Sequence, residues 1–162
     1  MPSKIKKNIM REDVEISKRK SKVLMNILWE AQEKYGYLSE HVLKQISLEQ
    51  KIPIAKLWGV VKFYSMFRTE PVGKYVIEIC SSPSCVLNGS NPLEEVLKRE
   101  VGVAKIGQTS KDGLFTLYKT SCIGLCDEAP AMLVNGKPYT KLTEQRIIRI
   151  IAKLREKANA NP

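Results

Sequence analysis

The sequence predicts an α/β fold, a compact layer of strands and helices preceded by a small N-terminal helical bundle. Three observations carry that expectation. Up to about residue 70 apolar residues recur at spacings of three and four; beyond Pro71 they gather in short β-branched runs; and Asn135-Gly136, between two such runs, is the strongest hairpin signal in the chain. With 162 residues and 43% hydrophobic content, the chain is long enough to bury one good core and a second small one.

The first 20 residues are polar and mixed in charge, with Ile5, Ile9, Met10, Val14 and Ile16 as their larger apolar side chains, so they are expected to form a basic mobile arm. Residues 21–70 read as a helical segment. Val23, Leu24, Ile27, Leu28 and Ala31 line one face of a first helix, and Gly36 falls where a left-handed C-terminal cap belongs. Ser39 can N-cap a second helix with Val42, Leu43 and Ile46 inward. Pro53 suits the first turn of a third, running through Ala55, Leu57, Val60, Val61, Tyr64 and Phe67.

Residues 71–157 read as the α/β domain. Pro71-Val72-Gly73 is a turn, and the β-branched run from Tyr75 to Cys80 is a strand. Asn91-Pro92 predicts a helix from Pro92 to about Glu100, with Leu93, Val96 and Leu97 inward. Phe115 to Thr120, after the Asp112-Gly113 turn, is a second strand. Met132-Leu133-Val134 and Lys137-Pro138-Tyr139-Thr140 form the hairpin around Asn135-Gly136, and Thr143 can N-cap a last helix burying Ile147, Ile148, Ile151 and Leu154. The order β-α-β-β-α fills about 85 residues, enough for one two-layer unit.

A net charge of +10, from 27 Lys and Arg against 17 Asp and Glu, brings nucleic acid or an anionic surface into consideration. The excess is local. Lys4, Lys6, Lys7, Arg11, Lys18, Arg19, Lys20 and Lys22 crowd the first segment, and Arg146, Arg149, Lys153, Arg155 and Lys157 close the chain. Neither group has the aromatic interleaving of a single-strand binder, so solvent or an acidic partner subunit suits them better than nucleic acid. No apolar run of about 18 residues is present, and the charged N-terminus lacks the apolar stretch of a secretory signal. The expectation is a soluble, cytoplasmic protein with no direct membrane insertion.

All four cysteines lie in two pairs, Cys80-Ser-Ser-Pro-Ser-Cys85 and Cys122-Ile-Gly-Leu-Cys126, each pair at or just beyond the C-terminal end of a predicted strand. Buried structural cysteine does not account for pairs in loops rich in Ser, Pro and Gly. Disulfides do not suit an intracellular chain with this apolar content. A catalytic dithiol would use a two-residue spacing that neither pair has. A metal site is favoured over these three. Zinc on four cysteines commonly uses tighter knuckles, whereas two irons bridged by two sulfides need a wider cage, so the spacing leans to iron and leaves zinc open.

The surrounding segments resemble the thioredoxin-like 2Fe-2S ferredoxins, a family that includes the small NADH-oxidising subunit of respiratory complex I and small subunits of electron-bifurcating hydrogenases and NAD-linked formate dehydrogenases. The resemblance runs from about residue 21 to 155. Its blocks, in the family's order, are Glu30-Ala-Gln-Glu-Lys-Tyr-Gly-Tyr-Leu38, Gly59-Val-Val-Lys-Phe-Tyr-Ser-Met-Phe67, Pro71-Val-Gly-Lys-Tyr75, Cys80 and Cys85 with Gly89 after them, Asp112-Gly-Leu-Phe115, and Ser121-Cys-Ile-Gly-Leu-Cys-Asp-Glu-Ala-Pro-Ala-Met132.

The resemblance implies a thioredoxin-like domain over residues 71–157 and one 2Fe-2S cluster held by Cys80, Cys85, Cys122 and Cys126. It implies a non-catalytic electron-transfer subunit of a multi-subunit NAD(P)H-linked oxidoreductase, of the NADH dehydrogenase or hydrogenase type, with FMN and the NAD(H) site on a larger partner. Consistent with that division, the chain has no Gly-rich dinucleotide loop and no P-loop, and its single histidine, His41, reads as a surface residue. The family has small residues or threonine between its first cysteines where this chain has Ser81, Ser82, Pro83 and Ser84, which alters hydrogen bonding to sulfur without touching the ligands. Gly89 and Gly124 would let backbone N–H groups approach sulfur, or simply make turns. Pro130 is a candidate cis proline by analogy with thioredoxin-like domains. The rival readings are a nucleic-acid-binding module stabilised by zinc on the same four cysteines, and a dithiol oxidoreductase.

Overall fold

A computed structural model describes residues 23–160; the expected basic arm lies outside them. The chain divides after Pro71 into two compact units.

The first unit contains α1 (Leu24–Tyr35), α2 (Glu40–Gln50) and α3 (Ile54–Phe63). Gly36 closes α1 with φ 79, the left-handed cap that the sequence calls for. Ser39 caps α2, its hydroxyl accepting from the Val42 N–H at 3.2 Å. Leu28, Leu43, Ile46 and Leu57 are fully buried together, each contributing roughly 1.5–3 kcal/mol of burial. The third helix is shorter than its apolar spacing predicts. Tyr64 leaves helical geometry, and the side-chain amide of buried Gln32 binds the chain beyond it, donating to the Met66 carbonyl at 2.9 Å and accepting from the Arg68 N–H at 2.7 Å. Phe67 is therefore buried from a turn, and Tyr64 is partly exposed. His41 is an exposed residue of α2.

The second unit is a mixed four-stranded sheet with the order β2-β1-β3-β4, in which β1 (Tyr75–Cys80) pairs in parallel with β2 (Phe115–Thr120) and antiparallel with β3 (Met132–Val134), and β3 forms a hairpin with β4 (Lys137–Tyr139). Asn135 and Gly136 make the hairpin turn with φ 47 and 77, as the dipeptide demands. Gly73 sets the entry to the sheet: its N–H donates to the buried Thr116 hydroxyl at 2.7 Å, and a Cβ there would lie 2.8 Å from the backbone of Leu114 and Phe115.

Two helices pack against the sheet, α5 (Ser90–Val101) and α6 (Glu144–Ala160), and a short one, α4 (Pro83–Leu87), follows β1. Ile77, Ile79, Phe115, Leu117, Met132 and Val134 meet Leu93, Val96 and Leu97 of α5 and Ile147, Ile151 and Leu154 of α6 in one core. Ile148, expected in that stripe, is partly exposed, because 147, 151 and 154 fix the inward face. Helix α5 starts two residues before the proline that predicts it, with Gly89 at its cap and Pro92 inside the first turn, where a missing N–H costs nothing. None of the described helices is long and apolar enough to cross a membrane.

Buried Glu94 on α5 joins this helix to the sheet, 2.8 Å from the Lys98 Nζ and 2.7 Å from the Lys119 Nζ on β2. Burial pushes its carboxyl upward, but the hydrogen bonds and charges of Lys119 and Lys98 outweigh it and hold the group below its ordinary value. A carboxyl depressed on folding stabilises the fold above its unfolded value and loses that contribution as pH falls through its folded one. Glu94→Gln should therefore cost about 1–2 kcal/mol at neutral pH, discounted for the half-exposed Lys119. The difference from the parent should close in acid, where Glu94 is itself neutral. Urea unfolding of both proteins over a series from pH 7 down into acid measures this.

Candidate metal centre

Strands β1 and β2 run in parallel register from Tyr75 opposite Phe115 to Cys80 opposite Thr120. Their C-terminal ends therefore lie side by side, and each continues into a cysteine loop. Alternation along β1 turns Ile77 and Ile79 into the helix-packed core and Cys80 toward the other face. The two loops are stitched at their base, where the Ser81 N–H and hydroxyl both donate to the Thr120 carbonyl, at 3.0 and 3.1 Å. The Ser84 hydroxyl reaches the Cys126 carbonyl at 3.5 Å.

Pro83 opens α4, a single turn that carries Cys85 back beneath the loop, and both Cys80 and Cys85 are buried. Cys122 and Cys126 are exposed, their sulfurs 3.3 Å apart, with Cys126 starting a short 3-10 turn to Glu128. Gly124, at φ 80, turns its N–H toward the Cys122 Sγ at 3.4 Å. The left-handed backbone is what makes that approach possible. The Ala129-Pro130 peptide is cis, and the adjoining Ala131 carbonyl accepts from the Cys80 N–H at 3.1 Å. Gly89 makes a turn instead, donating to the Val86 carbonyl at 3.0 Å.

The thiols divide by environment. Burial pushes Cys80 upward, yet the Ser82 hydroxyl at 3.2 Å, the Ser82 backbone, Cys85 and the Ile123 N–H together bring it below its ordinary value. Burial and the neighbouring Cys80 push Cys85 up. Cys122 is lowered, first by the Gly124 N–H and then by Cys126, and Cys126 is raised by Cys122 in turn. Backbone and hydroxyl donors aimed at sulfur favour thiolate, the form that binds metal.

All four predicted residues thus share one end of the sheet, as two pairs on adjoining loops. Among the described residues no three His, Cys, Asp or Glu side chains gather tightly enough to chelate one ion. A donor set of two thiol pairs fits a two-iron rhomb, which takes two thiolates on each iron. Helix α4 escaped the sequence reading because five residues are too few to show a helical period. Lys137 and Lys141 were likewise missed as companions of the basic residues on α6, since only the hairpin brings them there.

The sequence profile described as thioredoxin-like 2Fe-2S ferredoxin matches residues 7–155. The alpha subunit of the NAD-reducing hydrogenase HoxS of Cupriavidus necator is 38% identical over 82% of this chain, which spans only 22% of that subunit. An NADH-quinone oxidoreductase subunit of Aquifex aeolicus is 33% identical over 91% of both chains. Among solved structures, an NAD+-reducing NiFe-hydrogenase in its H2-reduced state superposes with a TM-score of 0.70 at 27% identity, over 80% of this chain and 22% of that one.

Exposure orders the thiols toward an alkylating agent. In reduced, metal-free protein iodoacetamide should modify Cys122 and Cys126 before Cys80 and Cys85, as peptide mass mapping over a time course would read; equal rates at all four would contradict the burial.

Proposed function

The chain belongs to the thioredoxin-like 2Fe-2S ferredoxin family, and from that premise we propose that Cys80, Cys85, Cys122 and Cys126 hold one 2Fe-2S cluster and that the chain is a one-electron carrier within a multi-subunit NAD(P)H-linked oxidoreductase. The observation that carries this is the convergence of two thiol pairs at the ends of two parallel-paired strands. When bound, the cluster supplies reversible one-electron chemistry, with a net charge of about −2 oxidised and about −3 reduced.

The chain's own groups set that site's properties. Gly124 N–H and the Ser82 hydroxyl donate toward sulfur and favour the more negative, reduced form. The burial of Cys80 and Cys85 excludes water from one side, while Cys122 and Cys126 leave the other side open as the route for electrons. With no nucleotide loop in its sequence, this subunit depends on a larger partner bearing FMN and the NAD(H) site, in a complex of the NADH dehydrogenase or hydrogenase type. Four free thiols and no disulfide suit the reducing cytoplasm.

Protein reconstituted with iron and sulfide should be coloured, carry two irons and two sulfides, and give an EPR signal on dithionite reduction. Cys122→Ser should lose most of the visible absorption. A colourless, zinc-containing, EPR-silent protein would overturn the reading in favour of zinc. A second expectation concerns tuning: Ser82→Ala keeps the four ligands but removes a donor to sulfur, so its midpoint potential in a redox titration followed by EPR should move negative, and an unchanged potential would remove Ser82 from that role.

A further inference from the structure

Strand β4 and helix α6 enclose an open cleft of about 680 Å³ on the edge of the sheet opposite β2. Six cations line it, Lys137, Lys141, Arg146, Arg149, Lys153 and Lys157, and no carboxylate does. Lys141 is 3.3 Å from Glu128. None of the other five is within salt-bridge distance of a carboxylate among the described residues, although Glu128 also feels the charge of Arg146 at longer range. Arg155, a neighbour in sequence, takes no part: it turns to the opposite side, donates to the Glu100 carbonyl at 2.7 Å and lies over the Phe115 ring.

The spacing is regular. Arg146, Arg149, Lys153 and Lys157 follow one another at three or four residues, one face of α6. From 146 to 157 the helix rises about 16 Å, the span of roughly five residues of extended chain. Between the charges, Tyr139, Ile150 and Leu154 give the cleft an apolar floor. Like charges at these spacings repel one another on an isolated helix, a cost that a counter-charged occupant relieves.

Two features indicate the occupant. The floor is aliphatic with a single aromatic ring, so it offers no stacking platform for bases. The β4 edge also resists strand addition: Val134 opposite Lys137 closes a two-residue turn, so Pro138 falls at the position whose N–H would face outward, and proline has none. Side-chain charge, with apolar contact beneath, is what the cleft has to offer.

We propose that this cleft docks an acidic, extended segment of the partner subunit, its carboxylates meeting the α6 cations and its alternate apolar side chains resting on Ile150 and Leu154. The proposal rests on the reading of the chain as a subunit of a larger complex. The cleft adjoins the second cysteine loop at one end, where Lys141 donates its N–H to the Glu128 carbonyl at 2.8 Å. A segment seated there would hold the partner beside the redox centre without covering the exposed cysteines.

The test uses the full chain, affinity-tagged and purified with its complex from the native host. Carbodiimide, which joins amine to carboxylate directly, should link Lys137, Lys153 or Lys157 to Asp or Glu of the co-purifying subunit. The Arg149→Glu, Lys153→Glu double variant should retain that subunit about tenfold less well, and raised salt should mimic it. The same charge change at exposed Lys105 and Lys111 should leave retention unchanged, and the visible spectrum of the cluster reports that each variant is folded. Equal retention by the double variant overturns the proposal and leaves the electron-carrier reading intact, whereas a parent chain that retains no subunit at all overturns that reading. Binding of a 20-residue single-stranded oligonucleotide that the double variant loses, with subunit retention unaffected, would give the cleft to nucleic acid instead.

Discussion

Parallel pairing of β1 with β2 is the constraint on which the rest depends. Parallel strands end at the same edge, and the register that sets Cys80 against Thr120 leaves Cys122 two residues past the same line. An antiparallel arrangement of the same two strands would send the cysteine pairs to opposite ends of the sheet. Parallel strands need a crossover, and here the intervening residues, with α4 and α5, serve both ends of the requirement. Helix α4 seats Cys85, and α5 covers the core that keeps the sheet in place.

That division of labour explains why the site can be made of loops and still be specific. Serine, glycine and proline between the cysteines contribute almost no packing, so the loops take their positions from the strand ends, from the Ser81 bonds to Thr120 and from the Ala131 carbonyl. What remains free within them is the set of donors that approach sulfur. Ser82 and Gly124 occupy those places, one by a side chain and one by a backbone that only glycine adopts cheaply.

Much of this was legible in the residues. Both long strands, the hairpin at Asn135-Gly136 and the caps at Gly36, Ser39 and Thr143 follow from local chemistry that tertiary packing does not override, and the structure has each of them. The grouping of the four cysteines was expected from their position after two strands. The failures have a common cause, a long-range partner the sequence does not announce. Gln32 ends α3 early by capturing backbone more than 30 residues away; Ile148 loses its place because its neighbours set the phase of α6; and the basic cleft exists only where the hairpin brings lysines opposite arginines.

With a cluster bound, charge would give the cysteine edge and the adjoining cleft opposite characters. A 2Fe-2S cluster held by the four cysteines would carry net negative charge and repel an acidic surface, by one unit more when reduced. The cleft along α6 attracts the same surface. On the proposed docking, an acidic segment would be guided to α6 and held off the sulfurs, which would stay open to a less acidic face carrying the electron acceptor. The pull of the cleft would outlast a redox change, because lysine and arginine keep their charge in both states, so the proposed docking and electron transfer would use separate parts of one small sheet.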